Sequence, residues 1–256
     1  MTNTPPIRNQ LLQALQPEDL RRISGLLTRV SLRPRQMLHV GRMPRERVYF
    51  IESGLVSVSG AGGRGKTVEA WLLGFEGTTA VPAILQDEEP ALQCVVQIGG
   101  DALEIGRIEF MAVMEACPGI RSLLLRYVNF TLLCAVQTGI CNSNHAIEQR
   151  LARWLLYARD GFPDQRLPIT HRALGRLLGV RRASVTHCLG ALEQAGAISV
   201  ARGNIVIADP ERLNQRACEC ARYVRREYQR LISPTFGFET NNNIENFAGS
   251  LTLPPT

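Results

Sequence analysis

The sequence predicts an α+β chain with a strand-rich first half, one long helix and a helical, basic last third. Three observations carry that prediction. Short apolar runs separated by glycines fill residues 32–106, the apolar period turns helical after Ile105, and positive charge collects near the C-terminus. A chain of 256 residues accommodates two ordinary domains. With 45% hydrophobic and 20% charged residues the composition is that of a folded protein, not a disordered one.

Leu11, Leu12, Leu15, Leu20, Ile23, Leu26 and Leu27 recur at helical spacing within residues 10–30, and Pro17-Glu18-Asp19 marks a helix start among them, which predicts two short helices. Strands follow. Val48-Tyr49-Phe50-Ile51 and Leu55-Val56-Ser57-Val58-Ser59 flank the turn Glu52-Ser53-Gly54, Val68, Ala70 and Leu72 alternate, and residues 94–98 are rich in β-branched side chains. Strands of this length with frequent turn signals predict a β-barrel or sandwich.

Residues 107–116 predict a short helix stopped by Cys117-Pro118, and residues 119–141 a long one. The long helix carries a seam at Ile120, Leu123/Leu124, Tyr127, Thr131, Cys134, Thr138 and Cys141. That spacing suits packing on a partner helix, either a symmetry mate or the chain's own domain. Arg126, Asn129 and Gln137 interrupt the run Leu123 to Ile140, which argues against a membrane span. The first residues, Met1-Thr2-Asn3-Thr4-Pro5-Pro6, show no secretory pattern. An odd number of cysteines, seven, fits reduced thiols in a cytoplasm.

Charge is more informative by segment. Residues 145–233 carry 15 basic and 8 acidic side chains, whereas residues 1–144 are nearly balanced, with 14 and 13. A concentrated basic block points to a polyanionic partner. Within it Ala146 to Asp160 predicts an amphipathic helix. Thr170 then caps a helix burying Ala173, Leu174, Leu177 and Leu178, Gly179-Val180-Arg181 makes a short turn, and a second helix runs from Arg182 to Gln194. This second helix turns Val185, Cys188, Leu189 and Leu192 inward and Arg182, Ser184, Thr186 and His187 outward. Helix, glycine-bearing turn and helix is the layout that lays a recognition helix in the DNA major groove; a helical hairpin used only for packing is the plainer alternative. Two strands, Ala197 to Val200 and Asn204 to Ile207, flank the turn Ala201-Arg202-Gly203 and make a wing with Arg202 at its tip, suited to a phosphate.

One motif points elsewhere. Gly60-Ala61-Gly62-Gly63-Arg64-Gly65-Lys66-Thr67 satisfies the phosphate-loop pattern of nucleotide hydrolases. That chemistry needs a helix to begin at the Lys-Thr, yet Thr67 to Leu73 alternates like a strand, so a glycine-rich hairpin tip is the preferred reading.

Glu148-Gln149-Arg150-Leu151-Ala152-Arg153-Trp154-Leu155-Leu156, Leu178 to Thr186, and Leu192-Glu193-Gln194-Ala195-Gly196-Ala197-Ile198 resemble the DNA-binding domain of the Crp/Fnr transcription regulators, and residues 48–56 resemble the start of that family's cyclic-nucleotide-binding β-roll. The resemblance covers roughly residues 10–230. It implies a jelly-roll-like β-roll sensor domain over residues 1–118, a long dimerisation helix and hinge over 119–144, and a winged helix-turn-helix over 145–233; beyond it Pro234, Gly237, Asn241-Asn242-Asn243, Pro254 and Pro255 mark a disordered tail over 234–256. It also implies a non-enzymatic homodimer on inverted-repeat double-stranded DNA, joined through Ile120, Leu124, Tyr127, Thr131 and Cys134, with RNA polymerase as a partner. Thr170, Arg181, Arg182, Ser184, Thr186, His187 and Arg202 become the expected DNA contacts, with Arg182 in the family's base-reading position and Ala183 where several members carry a base-contacting Glu.

Departures bear on the effector. Gly77, Thr78, Leu92, Gln93 and Cys94 fall where an effector would bind, but the stretch Phe75-Glu76-Gly77-Thr78-Thr79 and residues 91–94 lack the family's arginine for the cyclic phosphate, and no arginine lies between Arg64 and Arg107. The first cysteine is Cys94, so the N-terminal cysteine cluster of the iron–sulfur members is missing. Neither cyclic AMP nor an iron–sulfur cluster is expected. His39, His145, His171 and His187 show no metal-ligand spacing with the cysteines, and Cys218-Glu219-Cys220, read as part of the last helix, points its thiols to different sides. No metal site is expected, and these two thiols are either idle or redox-sensing.

Overall fold

The computed structural model describes residues 6–44, 46–62, 67–162 and 166–232. The two short helices form as α1 (Gln10–Gln13) and α2 (Pro17–Ser24). Residues 28–30 are not helical as expected; α2 closes at Gly25, and the β-branched Thr28 and Val30 open β1 (Thr28–Leu32). Then come β2 (Met37–His39), β3 (Arg47–Ile51), β4 (Leu55–Ala61), β5 (Thr67–Leu73), the single turn α3 (Val81–Ile84), β6 (Gln93–Ile98) and β7 (Gly100–Gly106). They make two open antiparallel sheets rather than a closed barrel, ordered β1-β7-β3 and β2-β6-β4-β5. Phe50, Ile51, Val56, Leu73, Val96 and Ile105 lie in one core with residues of both sheets. β4 and β5 pair antiparallel up to Ala61↔Thr67, so Thr67 begins a strand where a phosphate loop would begin a helix. Residues 63–66, including Lys66, lie outside the described residues, as does the segment 233–256 expected as a tail.

The turn after β3 is held by charge. Glu52 is 1% exposed, and its carboxylate accepts the backbone N–H groups of Arg8 and Asn9 at 3.0 Å while pairing with Arg29 at 3.0 Å. The Asn9 amide donates to the carbonyls of Ile51 and Gly77, so the N-terminal segment is fastened to the roll through satisfied buried groups.

After α4 (Arg107–Ala116), the long helix α5 (Pro118–Asn144) crosses the roll. Here the expected dimer seam is corrected. Ile120, Leu124, Tyr127 and Thr131 are buried in the chain's own core and Cys134 is half-buried against it. Periodicity located the apolar stripe, and the roll takes it. The free face is another row, Leu125, Leu132, Val136 and Ile140, exposed by 47, 62, 52 and 44%. By length and composition α5 could cross a membrane, yet one side of it lies in the core of the roll.

A second core forms around Trp154, Leu155, Leu174, Leu189 and Leu192. It unites α6 (Ile147–Arg159), β8 (Arg166–Leu167), α7 (His171–Leu177), α8 (Arg182–Gln194), β9 (Ile198–Ala201), β10 (Asn204–Ile207) and α9 (Pro210–Arg216). The wing has a third strand beyond the two expected, in the order β8-β10-β9. The last helix, α10 (Cys220–Ile232), differs from its expected place in this domain. It returns along α5, with Tyr228, Leu231 and Ile232 in the roll's core, because its apolar row fits the groove beside α5.

Where the two cores meet, half-buried Glu69 of β5 turns a carboxylate oxygen out of solvent near Arg153 of α6, and this desolvation pushes its carboxyl up to about 8 against the pull of that guanidinium. Such a group keeps a proton in the fold that the unfolded chain releases, so its contribution is full below the ordinary carboxylate range and is lost as pH rises to about 8. Urea midpoints of the wild type should therefore fall more steeply than those of Glu69→Gln over that range; parallel pH profiles would show that Glu69 is solvated.

Candidate nucleic-acid interface

Local chemistry builds the helix-turn-helix. Thr170 accepts the Ala173 N–H at 3.2 Å and caps α7. The chain then reverses at Gly179 (φ +69°), a left-handed conformation that a side chain would strain, and the Val180 N–H returns to the Gly175 carbonyl at 2.9 Å. Beneath the turn lies Arg150 of α6, a residue the sequence reading did not single out. It is buried, and its Nη2 donates to the Leu178 carbonyl at 2.6 Å. Only its place one turn into an amphipathic helix, on the side that meets the turn, could have marked it.

α8 buries Val185, Cys188, Leu189 and Leu192, as its pattern predicted. Arg181, Arg182, Thr186 and His187 are exposed and Ser184 is half-buried. The Thr186 hydroxyl donates to the Arg182 carbonyl at 3.1 Å and lies 3.0 Å from His171 Nδ1, so it ties α8 to α7 as well as facing outward. Arg202 is exposed at the turn between β9 and β10.

The arginines divide into two groups. Arg159, Arg212, Arg216, Arg225 and Arg230 are matched by carboxylates of Asp160, Asp209, Glu148 and Glu227. Arg181, Arg182 and Arg202, with exposed Arg172 and Arg176 of α7, pair with no carboxylate among the described residues. Unmatched exposed arginines thus gather on α7, α8 and the wing, with Arg222 of α10 a further one outside them.

The expected effector residues are differently placed. The Thr78 N–H donates to the Tyr127 hydroxyl at 3.1 Å, and its own hydroxyl donates to the Tyr49 carbonyl at 2.9 Å. The Gly77 carbonyl accepts from Ile51 N and Asn9 Nδ2, and a Cβ on Gly77 would collide with the Tyr127 hydroxyl. Gln93 donates to Ser59 at 3.2 Å, Cys94 is buried in the roll and Leu92 packs against the same core. The polar groups of Gly77 and Thr78 are spent within the fold.

The cysteines require a correction. Cys218 lies in the connector before α10, not on the helix, so its thiol and that of Cys220 converge instead of diverging. Together with Cys141 and His145, which end α5, their ligand atoms all lie within 4.8 Å of one another.

Comparison with known proteins agrees with this arrangement. The Crp-like helix-turn-helix domain matches residues 149–216. A curated relative named "Putative HTH-type transcriptional regulator ycf28", of Porphyra purpurea, is 28% identical over 126 residues, 45% of this chain and 53% of that protein, so the chain matches about half of its length. FixK2 of Bradyrhizobium japonicum aligns with a TM-score of 0.64 at 17% identity, covering 75% of this chain and 98% of that one. The c-di-GMP-responsive global regulator CLP of Xanthomonas campestris gives 0.59 at 15%, covering 75% and 99%. TTHA1359, a Crp/Fnr-family transcriptional regulator of Thermus thermophilus, gives 0.56 at 19%, covering 74% and 98%. At these identities the likeness to the solved structures is one of fold.

Proposed function

We propose that the chain, which carries a Crp-like helix-turn-helix domain over residues 149–216 on a fold like that of the Crp/Fnr regulators, is a transcription regulator of the Crp/Fnr type that binds an inverted repeat in double-stranded DNA as a homodimer. The observation that carries the reading is the set of unmatched exposed arginines on α7, α8 and the wing, beside Arg159, Arg212 and Arg216, which carboxylates neutralise elsewhere in the same domain. Contact with RNA polymerase and a cytoplasmic location belong to this role.

Arg182 opens α8, where it can present two donors to guanine O6 and N7, while Arg202 at the wing tip meets a phosphate. Arg182→Ala should cost about 1–3 kcal/mol on the cognate site and relax preference at one base pair. Arg202→Ala should weaken all sequences alike and reduce the salt slope by roughly one counterion. Binding curves on cognate and base-substituted duplexes at two salt concentrations separate them; unchanged base preference in Arg182→Ala would mean that it is not the reader.

Dimerisation falls to the free face of α5, Leu125, Leu132, Val136 and Ile140, in place of the buried seam. A row this apolar on an exposed helix is suited to a second copy of itself. Leu132→Glu should turn the dimer into a monomer in analytical ultracentrifugation and cost most of the affinity for the full inverted repeat. A wild-type chain that stays monomeric with and without duplex would sink the assignment.

The roll does not take cyclic AMP or cyclic GMP in this reading. Support comes from the missing arginine and from Tyr127, whose hydroxyl already occupies the Thr78 N–H. Calorimetric titration should show no binding at micromolar nucleotide, and a micromolar dissociation constant for either would overturn it.

A further inference from the structure

Cys141 is the last core residue of α5, and His145 follows one helical turn later as the residue that closes the helix. Cys218 and Cys220 arrive from the far side of the DNA-binding domain, 77 positions beyond Cys141 in the case of Cys218. Cys141 Sγ and Cys218 Sγ are 3.5 Å apart, Cys220 Sγ and His145 Nδ1 are 3.6 Å apart, and all four ligand atoms fit within 4.8 Å. We propose that these four residues bind one zinc ion. The site stands on its own geometry and does not depend on the DNA-binding reading.

Three thiolates and one imidazole are a ligand set of closed structural zinc sites. With zinc bonds of about 2.3 Å to sulfur and about 2.0 Å to nitrogen, a tetrahedron has edges of roughly 3.8 Å between sulfurs and roughly 3.6 Å between sulfur and nitrogen. The two contacts given above are already near those edges. An iron–sulfur cluster distributes its cysteines over separate irons and needs them wider apart than this set allows. Binding exchanges three thiol protons for the ion and leaves the site with one net negative charge.

The surroundings suit that charge. The Arg150 guanidinium lies within electrostatic range of Cys141 and Cys218, and the Gln137 amide donates to Cys220 Sγ at 3.0 Å. With Nδ1 turned to the metal, His145 directs Nε2 toward the Glu219 carboxylate, 3.6 Å away. A carboxylate behind a ligating histidine orients the ring and strengthens it as a ligand. Residues 146–217, which contain the whole helix-turn-helix, lie between the two ligand pairs. The ion would therefore staple the entry and exit of the DNA-binding domain at one point and stiffen the hinge after α5.

The test uses the full-length chain purified with reductant. Elemental analysis should find about one zinc per chain. After removal of the metal, titration with Co(II) should give thiolate charge-transfer absorption and intense tetrahedral d–d bands that saturate at one equivalent and vanish on adding Zn(II). Cys188→Ser, a buried cysteine outside the cluster, should behave as wild type, Cys220→Ser should lose the tetrahedral spectrum, and Glu219→Gln should bind roughly 10–100-fold more weakly. Metal removal should also speed amide exchange in residues 142–147. A wild-type chain that takes up no zinc and gives only the weak spectrum of octahedral cobalt would overturn the proposal. So would mass spectrometry showing a Cys141–Cys218 disulfide in metal-free protein that does not recover zinc on reduction.

Discussion

The segment from Leu72 to Thr78 is clasped by three tyrosines from three different helices, and the arrangement of the parts hangs on it. Tyr127 of α5 accepts the Thr78 N–H, Tyr228 of α10 donates to the Glu76 carbonyl at 2.9 Å, and Tyr157 of α6 donates to the Leu72 carbonyl at 3.1 Å and contacts the Glu76 carboxylate. The Glu76 carboxylate also accepts the Gly74 N–H at 2.9 Å, and burial pushes its pKa up. Each of these groups is partnered, so the network holds the roll, the long helix, the DNA-binding domain and the last helix to one short stretch of chain. Losing one partner would strand a buried polar group, which typically costs about 1–3 kcal/mol. That penalty makes the arrangement specific where apolar packing alone would let helices slide.

The clasp reaches the recognition helix through α6. Tyr157 near the end of this helix touches the roll, and Arg150 near its start holds the Leu178 carbonyl in the turn between α7 and α8. A displacement of residues 72–78 therefore moves α6, and α6 carries the turn that sets the direction of α8. In this chain side chains hold the polar groups of this stretch.

Features written locally were legible in the sequence. The helix-turn-helix follows from Thr170, Gly179 and the inward Val185, Cys188, Leu189 and Leu192, all within a short stretch. The hairpin nature of the Gly60 loop followed from the alternation after Thr67. What depended on distant partners was hidden. The stripe of α5 was visible but its owner was not, because a 3.6-residue period says which residues share a face and nothing about what covers it. The same holds for α10, whose apolar row is legible but whose place in the roll's core is not. The cluster at Cys141 and His145 is hidden from the sequence because its other half lies beyond the whole DNA-binding domain, and because Cys218 precedes the last helix where a continuous pattern suggests that it lies on it.

The two ties on the DNA-binding domain lie at opposite ends of α6, and this limits how the domain can move. The start of the helix, just after His145, adjoins the thiol–imidazole cluster, whereas its end carries Tyr157 into the roll. A helix of 13 residues is about 20 Å long, so holding both ends fixes its direction far more tightly than holding either one. Releasing the cluster alone would free the hinge while Tyr157 still anchors the far end, and α6 would swing about the roll. Releasing Tyr157 alone would let α6 pivot about the cluster, in a different direction. In a dimer built on the free face of α5, half-site spacing of about 34 Å demands that both recognition helices hold one direction. Each tie constrains the direction of α6 by itself, at the hinge through the cluster and at the roll through Tyr157, so losing either one would change how α8 is held.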